Sequence, residues 1–103
     1  MALKDEVKQV LDEINELFSE KNEQYRTEQD DLANFTKGAM LRYGRSNLPA
    51  KFEALKDMAE KHVAKVYNGR LMDNKMDESL MDIAVYFIIA TVMHKRATQG
   101  VQQ

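Results

Sequence analysis

The chain has no cysteine and no tryptophan, and among its 103 residues only one proline and four glycines. Without cysteine there is no disulfide framework and no thiolate metal site, so the redox compartment is left open, with the cytoplasm as the default expectation. So little proline and glycine excludes a chain built from successive hairpins. No apolar run approaches the roughly 20 residues that span a bilayer, so no membrane partner is expected. Met1 opens straight into charged sequence, without the apolar segment of a signal peptide. Neither sign of charge dominates: 15 basic and 17 acidic residues give a net −2. That balance argues against a dedicated nucleic-acid binder and leaves room for an anionic small molecule held by a few local cations.

What is plentiful is helix-forming: Ala, Leu, Met, Lys, Glu and Gln. The length gives one domain, 1–103, with a core over about 4–96 and a polar tail, ATQGVQQ at 97–103, expected to be disordered. Four amphipathic segments with short connections predict an all-α fold, a four-helix bundle.

The first segment, about 4–25, repeats Val7, Val10, Leu11, Ile14, Leu17 and Phe18 on one face. The same face places Lys21 within about 30° of its centre, with Tyr25 nearby and Asn22 on the flank. Periodicity alone favours a Lys21 that snorkels outward over apolar neighbours. Glu13, Glu16 and Glu20 fall about 100–160° from the apolar centre and read as a solvated face.

Thr27 is a candidate N-cap for a second helix over about 28–43, with Leu32, Phe35, Thr36, Ala39, Met40 and Tyr43 inward. Gly38 marks a close approach by another helix. Gly44 suits a left-handed C-terminal position, and Ser46 or Asn47 can cap a third helix that has Pro49 in its first turn. That helix, about 49–67, carries Phe52, Leu55, Ala59, His62, Val63 and Val66 on one stripe. A lone His on such a stripe is more often a hydrogen-bonded core residue than a ligand. The small basic group Arg42, Arg45 and Lys51 reads as a solvated loop.

The last helix, KMDESLMDIAVYFIIATVMHKR at 75–96, is apolar nearly all round from Leu80 to Met93. Asp73 or Asn74 can cap it. A helix apolar on every side is surrounded by other helices or by a second subunit, so self-association is expected. Glu78, Asp82 and Tyr86 follow one another along one side of it. Two carboxylates one turn apart can share Mg²⁺, which commonly takes one or two carboxylates plus substrate phosphates. A lysine facing the same interior would hold a phosphate as a point charge. Asn22 could read a base or sugar edge, and Tyr25 or Tyr86 could stack on a base. The bland alternative is a Lys21–Asp82 ion pair that fixes helix register. There is no phosphate-binding glycine loop and no Ser/His/Asp or Cys/His set, so metal-assisted attack by water is the chemistry best supplied.

Two segments together resemble a known group: LFSEKNEQY at 17–25 with ANF at 33–35, and Lys61-His62 followed by DESLMDIAVYFII at 77–89. The chain, over about Leu17 to Val92, resembles the small phage and bacterial MazG-like and nucleotide-modification-associated proteins of the all-α nucleoside triphosphate pyrophosphatase superfamily. The resemblance implies an oligomeric helical bundle and Mg²⁺-dependent hydrolysis of a nucleoside triphosphate to monophosphate and pyrophosphate. It implies Glu78 and Asp82 as metal ligands and catalytic groups. Lys21, Asn22 and Tyr25 match a K-N-x-x-Y element that contacts phosphate and nucleoside, and His62 is a weaker match. One departure bears on turnover. The family's enzymes carry a further E-x-x-E pair on an earlier helix, and Glu13 and Glu16, which have that spacing, face outward. The rival expectation is a non-catalytic bundle that binds a nucleotide or a protein partner and serves in regulation or assembly.

Overall fold

Four apolar periodicities become four helices in the computed structural model, which describes residues 2–25 and 30–100 without the side chains of residues 24 and 25. They are α1 (Leu3–Tyr25), α2 (Ala33–Tyr43), α3 (Leu48–Asn68) and α4 (Met76–Thr98), with no strand among the described residues.

The helix ends follow from local chemistry. Asn47 accepts the Ala50 N–H at 3.0 Å and Pro49 occupies the first turn of α3, both as expected. Gly44 closes α2 at φ 69, a left-handed conformation that costs glycine little. The start of α2 differs from expectation. Residues 30–32 form a turn, because the Asp30 carboxylate accepts the Leu32 N–H at 2.9 Å and the Thr36 hydroxyl, so the helix begins at Ala33 and is separate from α1. The proposed Thr27 cap lies outside the described residues. Nor do Asp73 and Asn74 cap α4. Asp73 turns back on its own loop, accepting the Arg70 N–H at 2.8 Å, and the capping position falls to Lys75 at φ 65. At its far end α4 extends through Ala97 and Thr98, which belonged to the expected tail, while 101–103 lie outside the described residues.

Gly69, at the end of α3, is needed for space. A Cβ there would stand 2.7 Å from the Lys65 carbonyl oxygen and 2.7 Å from Met76 Cε. The backbone oxygen cannot yield without bending the helix end, so Gly69→Ala should cost about 1–3 kcal/mol. A lowered urea midpoint at unchanged slope would show it.

α3 is the central helix, packed on α2 and α4. Leu55 is fully buried in a cluster with Leu32, Phe35, Leu48 and Met93. A second contact is made of small residues: Ala39 of α2 against Ala50 and Ala54 of α3. A Cβ on Gly38 would meet Ala54 Cβ and Met58 Cε at 3.5 Å, which bears out the close approach read from its position. Met40 and Tyr43, expected inside, are exposed, and the Tyr43 hydroxyl donates to Asp57. Lys51, expected in a solvated loop, is only 3% exposed. The cause is register: it follows Leu48 by one turn and precedes Leu55 by one turn, which puts it on the inward face.

α1 leans on α4 and, among the described residues, contributes no buried one. Val7, Val10, Leu11 and Phe18 remain exposed, as do Leu80, Phe87, Ile88 and Val92 on α4. The last helix is therefore covered on one side only within a single chain. Among the described residues no helix is long and apolar enough to cross a membrane.

Candidate functional site

Where α1 crosses α4, the lysine that interrupts the apolar face of one helix meets the aspartate that interrupts the other. Lys21 Nζ lies 2.8 Å from Asp82 Oδ1. The side chains are 42% and 21% exposed, so the pair sits at an edge and not in the deep interior. Lys21 thus reaches a carboxylate instead of only snorkelling. His62 comes to the same aspartate from α3, with Nδ1 at 3.8 Å from Oδ2. Its ring lies 5.9 Å from that of Tyr86, and Tyr86 in turn meets Phe35 edge-on at 6.3 Å. Half-buried His62 is therefore packed against the site without lying within normal hydrogen-bond distance of Asp82.

These residues border a cavity of about 390 Å³ whose walls are mostly apolar. Phe18, Lys21 and Asn22 come from α1; Leu32, Asn34 and Phe35 from the start of α2; Asp82, Val85, Tyr86 and Ile89 from α4. Such a space, apolar with a few converging polar groups, is the usual form of a small-molecule site. Aromatic walls suit a flat ring, the asparagine amides can read its edge, and Lys21 supplies a cation for an attached anion.

Of the residues singled out in the sequence, Lys21, Asn22, Asp82 and Tyr86 share this cavity, and His62 adjoins it. Glu78 does not fit the expected buried ladder. It is exposed one turn before Asp82, while Met76, Ser79 and Met81 around it are partly covered, so it lies on the outer side of this end of α4. The Tyr25 side chain lies outside the described residues. Glu13, Glu16 and Glu20 are exposed, as their angular position required.

Three lining residues were not anticipated: Asp31, Asn34 and Arg96. Arg96 donates to both Asp31 oxygens, at 3.2 and 2.9 Å. The hydrogen bond from Arg96 holds the Asp31 carboxyl below its usual range, and the same bond raises Arg96. Asn34 lies in the ANF segment of the resemblance, where it has no role of its own, and the signal for Arg96 was a basic residue in the last turn of a helix, which the helix dipole already explains.

Among the described residues no group of three or more His, Asp or Glu is placed to hold a metal ion. Glu78, one turn before Asp82, is exposed and does not line the cavity that Asp82 borders. Asp82 faces Lys21 and His62. Comparison with protein-family models, with curated proteins and with solved structures finds no match to this chain.

Proposed function

We propose that the chain binds a nucleoside triphosphate in the cavity between α1, α2 and α4 and hydrolyses it to the monophosphate and pyrophosphate. The observation that supports this most is the Lys21–Asp82 pair, 2.8 Å apart at the edge of an apolar, aromatic cavity of about 390 Å³. The resemblance to the MazG-like group, carried by Lys21, Asn22, Tyr25, Glu78 and Asp82, points to the same chemistry.

In this reading the base lies against Tyr86 and Phe35, and the Asn22 amide contacts base or sugar. Lys21 exchanges the Asp82 carboxylate for a phosphate and neutralises charge that develops there. Asp82 and Glu78 would hold Mg²⁺, which when bound polarises phosphate and makes water a better nucleophile. Water attacks the α-phosphorus, and the bond from it to the bridging oxygen breaks, releasing pyrophosphate. His62, beside Asp82, limits how far that carboxylate can swing.

A second reading, a non-catalytic nucleotide-binding or assembly protein, is favoured by two observations. The Lys21–Asp82 pair is already closed, and the apolar faces of α1 and α4 lie open. In both readings a second copy covers those faces and completes the four-helix packing that one chain lacks. Incubating the purified chain with a panel of nucleoside triphosphates and Mg²⁺ decides between them. Monophosphate and pyrophosphate in equal amounts are expected; unchanged triphosphates throughout would leave the second reading.

A further inference from the structure

The cavity does not stop at Lys21 and Asp82. Along α4 its lining runs from Asp82 to Arg96, about 21 Å at about 1.5 Å per residue, and Asp31, Asn34 and Arg96 form the far mouth. The two members of the ion pair there are unequally held. Arg96 is 24% exposed and Asp31 48%. The fork holds Asp31 through both oxygens, but so exposed a carboxylate is within reach of a competing anion from solvent.

A second cation stands behind them. The stem of Lys51 is buried, yet its side chain makes no hydrogen bond or ion pair among the described residues. Lys51 is 3% exposed, so its ammonium reaches solvent by an edge at most. It is close enough for its charge to draw down the Asp31 carboxyl. The other acid facing Arg96 is Asp30, which is engaged by the Leu32 N–H and the Thr36 hydroxyl. Asp31 is thus the one acid of the group free to leave. A guanidinium fork fits carboxylate and phosphate alike.

We infer that this mouth is a second anion subsite, of the phosphate class, in which Asp31 is a displaceable occupant of the Arg96 fork. A phosphate or pyrophosphate anion takes its place, with Lys51 as the supporting cation, separate from the triphosphate tail that the nucleotide reading places at Lys21. The inference rests on the nucleotide reading for the identity of that anion, while the anion subsite is testable by itself.

The test is calorimetric titration of the full chain with inorganic pyrophosphate, without metal. Wild type is expected to bind, and Asp31→Asn to bind about tenfold tighter, since one like charge beside the anion is gone. Arg96→Gln should weaken binding by about tenfold or more, and Lys65→Met, exposed near the end of α3, should leave it within about twofold. Unchanged affinity in Asp31→Asn, or no binding by wild type and Asp31→Asn alike, overturns the inference. Loss in Lys21→Met with retention in Arg96→Gln also overturns it, while leaving the nucleotide reading intact. A gain of affinity cannot come from misfolding, so Asp31→Asn decides even if Arg96→Gln fails to fold.

Discussion

Asp82→Asn is expected to lower Mg²⁺-dependent turnover of the nucleoside triphosphate by at least about 100-fold, the scale of losing one group that stabilises transition-state charge. The substitution keeps the shape of the side chain and removes the charge that pairs with Lys21 at 2.8 Å. It also removes the carboxylate assigned to Mg²⁺. Stability should change far less, by about 1 kcal/mol at most, because both partners are partly exposed and Lys21 can turn to water. Glu78→Ala should also cost turnover with only a small loss of stability, about 0.3–1 kcal/mol from its place in the first turn of α4. Initial rates with thermal melts of the same samples separate the two effects. Full activity in Asp82→Asn would remove Asp82 from the site.

Leu55→Ala carries the largest expected effect on folding. Leu55 is fully buried at the centre of α3, against residues of α2 and α4. Truncation there removes the transfer free energy of the lost atoms and leaves a cavity, about 2–5 kcal/mol together. That is a large part of the roughly 5–15 kcal/mol by which domains are stable. The midpoint should fall by about 4–8 °C for each kcal/mol. Leu71→Ala, in the exposed α3–α4 loop, is the matched control and should stay within about 0.5 kcal/mol. Equal losses at the two positions would contradict this account of the core.

The parts of the molecule legible in the sequence were those set by local chemistry or one periodicity. Asn47, Pro49 and Gly44 marked the gap between α2 and α3 because capping and φ preference act within a turn. Lys21 and Asp82 stood out because each breaks an apolar face, and two such breaks on different helices have reason to meet. Legibility failed where the outcome depended on what lies opposite. Nothing in α1 says that its stripe stays open in a single chain, or in α4 that cover is one-sided. Lys51 reads as solvated from its charge, whereas its register between Leu48 and Leu55 buries it. Asp31 and Arg96 are 65 residues apart, and their meeting depends on the turn before α2 that Asp30 helps to close.

The central claim is that the Lys21–Asp82 end of the cavity is a nucleotide site. Calorimetric titration of the full chain with nucleoside triphosphates, with and without Mg²⁺, in wild type and Lys21→Met, tests it most directly. The account predicts binding that strengthens with Mg²⁺ and weakens by about tenfold or more in Lys21→Met. Absence of heat for every triphosphate, or equal affinity in Lys21→Met, would contradict it and leave the pair as a fastening between α1 and α4.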